Sequence, residues 1–260
     1  MKEHLMSLLF PPHCVGCGKR AGFCGFDGAL PRVLCESCQK LWESEKLGGC
    51  GTCGKPVSAC DCLTKDLFLA KCKGFRKLVY YRHGNVSAVQ NRVIYAIKNA
   101  PSRACTRFLA GELLLPLREW AENGQIDPSQ TIFVYVPRGW GVLRRTGTDQ
   151  AKALAKALSE QTGIPVCPAI VRRIYRGKQQ KKLSYVERRK NAKNAYRLNP
   201  RAEVRGKTVI LVDDIVTTGL SMAVCARLLL RAGATDIFCL APASDDCNQN
   251  MDLRQPKFRV

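Results

Sequence analysis

Val209-Ile210-Leu211-Val212-Asp213-Asp214-Ile215-Val216-Thr217-Thr218-Gly219-Leu220-Ser221 decides how this chain folds. Four aliphatic residues run into two adjacent carboxylates, a Thr-Thr-Gly-x-Ser turn follows, and an apolar segment of helical period begins. The pattern predicts a buried strand that ends in acid and a helix that opens with hydroxyls and glycine. Such a junction suits a sugar phosphate. The first N–H groups of a helix lack intrahelical partners and sit at the positive end of its dipole, so they attract a phosphate dianion. Gly219 lets the backbone approach closely or take a positive φ, and Thr217, Thr218 and Ser221 add hydroxyl donors. Asp213 and Asp214 would repel phosphate, so they must face vicinal sugar hydroxyls or a magnesium-bound pyrophosphate. The plainer alternative is an ordinary N-cap at a solvated strand end, since Asp, Thr and Ser all cap helices. A glycine fingerprint for nucleotides fits worse, because neither G-x-G-x-x-G nor G-x-x-x-x-G-K-[ST] occurs in the stretch.

The stretch resembles the phosphoribosyl-diphosphate (PRPP) loop of type I phosphoribosyltransferases: four apolar residues, Asp-Asp or Asp-Glu, then a Thr-Gly-x-Thr/Ser turn. The resemblance implies Asp213 and Asp214 on the ribose hydroxyls, with Val216, Thr217, Thr218, Gly219, Leu220 and Ser221 around the 5′-phosphate. Ser221 stands where Thr is commoner and keeps the hydroxyl. Magnesium would enter with PRPP.

The N-terminal part has a different chemistry. Fifteen cysteines are present, and they crowd toward the start of the chain. Cys14-x2-Cys17 and Cys35-x2-Cys38 have the spacing of a four-thiolate zinc site. Cys14-Val-Gly-Cys-Gly-Lys19 recurs as Cys50-Gly-Thr-Cys-Gly-Lys55, which argues for a duplicated zinc-ribbon knuckle. Cys50, Cys53, Cys60 and Cys62 then form the second set, with Cys72 as the alternative closing ligand; Cys24 and His13 are spare candidates. Disulfides fit worse, given an odd cysteine total, paired C-x2-C spacings and no secretory signal. Redox C-x2-C pairs usually open a helix in a thioredoxin-like unit. Closed four-thiolate sites leave no open position, so two zinc ions here serve folding or docking.

Lys and Arg number 42 against 21 Asp and Glu, a net charge of +21. The excess concentrates in residues 172–207, where Tyr175, Tyr185 and Tyr196 are interleaved. A basic, aromatic-bearing segment can neutralise phosphates and stack bases, as single-strand binders do. It can equally be a solvated face, or a loop that closes over a polyphosphate. No apolar run reaches the ~18 residues of a membrane span, and the first ten residues make a poor signal peptide. No membrane insertion is expected, and the cytoplasm is the expected compartment.

Helical spacing predicts helices over residues 86–98, 105–115 (cut by Pro116), 150–161 and 221–231. Strands are predicted over 131–136 and 236–240. Alternating strands and helices indicate an α/β fold with a parallel sheet and flanking helices, and phosphate loops sit at strand ends in such folds. The expected organisation is a double zinc-ribbon domain over 1–73, a phosphoribosyltransferase-like domain over 74–245 and a tail over 246–260.

Several features together are similar to the ComF (ComFC) family of bacterial competence proteins, over nearly the whole chain. They are the double ribbon, the Val136-Pro137 strand end, the Gly147-x-Asp149-Gln150 turn, Lys178-Gln179-x3-Leu183-Ser184-x3-Arg188-x2-Asn191, and the Asp-Asp loop. The resemblance implies DNA uptake in natural transformation, a helicase-like partner on the zinc head, and a substrate or nucleic-acid loop carrying Lys178, Gln179, Arg188 and Asn191. The family usually reads Arg-Gly-Phe/Tyr-Asn/Asp-Gln before the long helix. Here Thr146 and Thr148 replace the arginine and the aromatic, with Arg144 and Arg145 just upstream. Two functions follow: a PRPP-binding protein of DNA uptake or processing that binds single-stranded DNA, or a transferase acting on an unidentified acceptor. In the second, Asp213, Asp214, Arg138 and Arg145 are the catalytic candidates, the arginines facing pyrophosphate.

Overall fold

The computed structural model describes residues 13–20, 33–98, 102–173 and 194–245. Within them the aliphatic run before the two acids is strand β5 (Thr208–Val212), interior to a parallel sheet. The other strands are β1 (Gly74–Tyr80), β2 (Thr131–Tyr135), β3 (Ile170–Arg172), β4 (Tyr196–Leu198), β6 (Ile215–Val216) and β7 (Ile237–Ser244). The main sheet runs β1-β7-β5-β2, all parallel, with β6 beside β7 beyond the end of β5. β3 and β4 form a separate antiparallel pair.

Eight helices are used below: α1 (Glu36–Leu47), α2 (Lys65–Leu69), α3 (Val89–Lys98), α4 (Arg103–Glu112), α5 (Leu114–Glu122), α6 (Trp140–Thr146), α7 (Gln150–Thr162) and α8 (Leu220–Arg231). They cover both faces of the sheet. Phe133, Tyr135, Ile210, Val212, Phe238 and Leu240 point to a core shared with Trp42 of α1, Val93 of α3, Leu109 of α4, Trp120 of α5 and Leu154 of α7. The alternate residues Ile132, Val134, Val209, Leu211, Ile237 and Cys239 point to a second core with α8 and with Leu67 of α2. A strand buried on both faces needs apolar side chains in both directions, which is why residues 209–212 read as a continuous aliphatic run.

The structure corrects several boundaries. The helix expected over 86–98 begins at Val89. The one expected over 105–115 runs from Arg103, capped by the Ser102 hydroxyl, to Glu112. Pro116 does not end it; the proline sits in the first turn of α5, where its missing N–H has no intrahelical acceptor to lose. The strand expected over 236–240 extends to Ser244. Helix α7 closes on Gly163 in the left-handed region (φ 76°), as the Gly-x-Pro signal implied. The tail, residues 246–260, lies outside the described residues.

Phe133 is fully buried at the centre of the first core. Phe133→Ala is expected to lower the unfolding free energy by about 3–5 kcal/mol, read from urea unfolding of the metal-loaded protein. A change below about 1 kcal/mol would contradict this packing.

Candidate functional site

Strand β5 ends at the two acids, and their carboxylates take over hydrogen bonds that the ladder no longer supplies. The Asp213 carboxylate accepts the N–H of Asp214 at 2.9 Å, and the Asp214 carboxylate accepts the N–H of Ile215 at 3.0 Å. The break has a local cause. β5 and β6 keep one register against β7, which sets Pro242 opposite Asp214, and proline has no N–H for the ladder.

Arg138, just past the end of β2, forms an ion pair through its guanidinium with Asp214. The backbone N–H of Arg138 donates to Asp149 Oδ2 at 3.1 Å, and the other Asp149 oxygen caps α7 by accepting the N–H of Lys152 at 3.2 Å. Asp149 therefore fixes Arg138 against the start of α7. Burial, and next the neighbouring Asp214, push the Asp213 carboxyl well above the ordinary carboxylate range.

The turn lies where the sequence put it. Gly219 is the N-cap of α8 with φ 78°, in the left-handed region, and the Thr218 hydroxyl accepts the N–H of Leu220 at 3.3 Å. Thr217 and Thr218 are exposed, and Val216 is buried beneath them. A Cβ on Gly219 would collide with the Thr64 hydroxyl and lie 3.1 Å from Leu67 Cγ, so glycine is required by space as well as by φ. Tyr196 closes the far side of the turn. Its ring lies under the Arg172 guanidinium (5.3 Å), and its hydroxyl meets Arg172 Nη1 at 3.3 Å and the Ser221 side chain. Burial pushes that hydroxyl up to about 12, which keeps it a hydrogen-bond donor.

The arginines divide. Arg138 reaches Asp214, whereas Arg145 is exposed in the last turn of α6 and pairs with neither acid among the described residues. Arg144 lies over the Trp140 ring at 5.5 Å. Beside Tyr196, a cleft of about 690 Å³ is lined by Trp140, Val171, Arg172, Arg173 and Arg197. Among the described residues none of its three arginines has a carboxylate partner. Lys178, Gln179, Arg188 and Asn191, with Tyr175 and Tyr185, lie outside the described residues. Sequence reasoning passed over Asp149, Thr64 and Leu67. The Gly-x-Asp-Gln turn was a signal for the first; nothing in the sequence points to the other two.

The cysteines gather as two sets of four, Cys14, Cys17, Cys35, Cys38 and Cys50, Cys53, Cys60, Cys62, with all sulfurs of a set within 4.8 Å of one another. Cys72 belongs to neither: its sulfur lies 3.7 Å from that of Cys239 in the second core. The sequence repeat is a structural repeat. Cys14 N–H donates to Lys19 O (2.9 Å) and Gly18 N–H to Cys14 O (2.8 Å); Cys50 N–H donates to Lys55 O (2.8 Å) and Gly54 N–H to Cys50 O (2.7 Å). Gly18 and Gly54 both take the positive φ that this knuckle needs. Cys24 lies outside the described residues. Cys35 and Cys38 flank the start of α1, so a C-x2-C pair opens a helix here without a thioredoxin-like unit.

Four thiols this close fit a cation. Burial would raise the Cys14 thiol, but hydrogen bonds from Cys35 and Cys17 bring it to about 7. Burial and the neighbouring cysteines hold Cys38 high. The second set behaves alike, with Cys50 at about 6, where hydrogen bonds led by the Tyr80 hydroxyl outweigh burial, and Cys62 raised. A divalent ion would compensate the thiolate charge that burial opposes in each set. The second set has a cation of its own: Lys77 Nζ, on a fully buried side chain of β1, lies 3.3 Å from Cys60 Sγ.

A family model described as a phosphoribosyl transferase domain matches residues 144–258. The chain is 30% identical to competence protein F of Haemophilus influenzae over 213 residues, 78% of this chain and 87% of that one. It is 28% identical to the DNA utilization protein YhgH of Salmonella typhimurium, covering 80% of this chain and 89% of that one. A shorter match, 38% identity over 60 residues, joins it to a ribose-phosphate pyrophosphokinase of Gloeobacter violaceus, over 23% of this chain and 18% of that one.

Lys77→Met removes the buried cation and keeps the side chain's bulk. It is expected to weaken metal retention at one of the two thiolate sites about 10–100-fold, seen as faster release of one metal equivalent to a chelator. Equal release rates for variant and wild type would contradict a role for Lys77 at that site.

Proposed function

The chain belongs to the ComF family of competence proteins, and from that premise we propose that it binds PRPP at residues 209–221 and serves DNA uptake or DNA processing. The observation that carries the reading is the junction of β5 and α8: paired acids at a strand end, followed by a left-handed glycine and hydroxyls at a helix start. In this reading the α8 N-terminus and residues 216–221 take the 5′-phosphate, while Asp213 and Asp214 take the ribose hydroxyls. Arg138 is preset beside Asp214, where it can turn to the pyrophosphate when a ligand displaces it. Magnesium would accompany the pyrophosphate, and zinc is the ion that suits both tetrathiolate sets. Single-stranded DNA is the proposed macromolecular ligand, supported by the net charge of +21 and by the cleft of Trp140, Arg172, Arg173 and Arg197. A helicase-like partner for the thiolate head remains part of the reading, as does the cytoplasm, where thiols stay reduced.

Turnover of PRPP on an acceptor draws less support. Thr146 lies where the family has an arginine, and exposed Arg145 reaches neither acid, so pyrophosphate loses a charge-stabilising donor.

Calorimetry with magnesium-PRPP is expected to show binding that Asp213→Asn weakens at least about tenfold, or about 1.4 kcal/mol. Because the folded protein holds the Asp213 proton above the ordinary carboxylate range, acidification neutralises Asp213 at a higher pH than usual. Wild-type affinity should therefore fall as pH drops through that range, and Asp213→Asn should remove this step. Unchanged affinity in the variant would overturn the ribose assignment. Single-strand binding should weaken at least about tenfold between about 50 and 200 mM salt and should ignore Asp213→Asn; salt-independent binding would contradict the electrostatic reading.

A further inference from the structure

We propose that the second thiolate site is a positioning element for the phosphate loop: it fixes residues 60–69, and these hold the loop at Gly219. Only the ligand-binding arm of the test rests on reading residues 209–221 as a PRPP cradle.

Strand β1 holds the second site from the sheet side. Arg76 Nε donates to Asp61 Oδ1 at 2.6 Å, and Lys77 Nζ reaches Cys60 Sγ at 3.3 Å. Two residues past Cys62, Thr64 caps α2, its hydroxyl accepting the N–H of Leu67 at 3.4 Å. Helix α2 has five residues, far too few to persist without support. Its support comes from both ends of its surroundings: the thiolate cluster before it and the second core beneath it. Leu67 is fully buried in that core with Val216, Met222 and Ala223, the residues that bracket the turn. The Thr64 hydroxyl occupies the space where a side chain on Gly219 would lie. Residues 48–64 have no regular element of their own beyond a single 3-10 turn (Val57–Ala59), so an ion held by Cys50, Cys53, Cys60 and Cys62 would add the cross-link that ties the two ends of this segment together.

The first site has the same ligands and a different neighbourhood. Cys14 and Cys38 pack in the other core, across the sheet, with Trp42, Val89 and Val93, and Gly16 O accepts from Arg92 Nη1 at 3.0 Å. The second site instead leads straight into the core that carries Val216 and Met222, since Leu63, next to Cys62, packs against that core and Leu67 lies within it. Two chemically alike sites should therefore differ in what their loss does to the loop.

The test combines hydrogen exchange and magnesium-PRPP titration on the full-length, metal-loaded protein. Cys62→Ser is expected to speed amide exchange in residues 216–222 about tenfold or more and to weaken PRPP about fivefold or more, whereas Cys17→Ser moves neither beyond about twofold. Leu67→Ala guards against general unfolding. It keeps all eight ligands and should speed the same amides while residues 131–135 stay protected. Unchanged loop exchange in Cys62→Ser overturns the proposal whatever Leu67→Ala does, and so does an equal effect of Cys17→Ser. If the wild type binds no PRPP, the cradle reading falls, and the exchange pattern alone decides the proposal.

Discussion

Two consecutive carboxylates at the end of a buried strand repel each other, and the surrounding structure is built to hold that repulsion. Asp214 is paired with Arg138, and each acid accepts a backbone N–H from the residue after it. Side-chain exposures of 16% for Arg138 and 13% for Asp214 mean that the pair is largely removed from water. Deleting one partner of such a pair typically costs about 3–5 kcal/mol, because the other charge is left uncompensated. The constraint spreads outward. Asp149 ties the Arg138 backbone to the start of α7, and buried Gln150 donates to Lys98 O at 3.1 Å, joining the end of α3. Strands β2 and β5 and helices α3 and α7 therefore meet at the acid pair. A ligand that takes Asp214 must also satisfy Arg138, and a sugar carrying an anionic leaving group offers a partner to each.

The fold was legible where burial leaves a composition signature. Residues 209–212 and 132–135 are aliphatic or aromatic throughout because the sheet is covered on both faces, and α7 carries both its cap and its terminating glycine in the sequence. Strand β1 was not legible: Arg76 and Lys77 interrupt its apolar run, and both are buried only because Asp61, Glu119 and a thiolate cluster supply counter-charges from far along the chain. Helix α1 was hidden for a similar reason, since only Cys38 and Trp42 of its twelve residues are buried. The acids, the turn and the cysteine sets could be read because their chemistry is local. The contact of Thr64 and Leu67 with Gly219 could not, because tertiary packing alone produces it.

The cysteine head shows how a repeated motif can diverge by context. Both knuckles make the same turn with the same pair of backbone hydrogen bonds. Gly16 of the first allows Cys38 to approach, since a Cβ there would lie 2.8 Å from its sulfur; Thr52 holds the matching place in the second. The second cluster is joined to the sheet by a buried lysine and an arginine of one strand, so an ion bound there would be coupled to the packing of that strand.

The most direct test of the central claim is a crystal structure of the metal-loaded protein with magnesium-PRPP bound. The account predicts the 5′-phosphate at the N-terminus of α8 beside Thr217–Ser221, the ribose hydroxyls on Asp213 and Asp214, and Arg138 turned from Asp214 toward the pyrophosphate. Phosphate density in the arginine cleft of Arg172 and Arg197, with the Arg138–Asp214 pair intact and residues 217–221 empty, would contradict it.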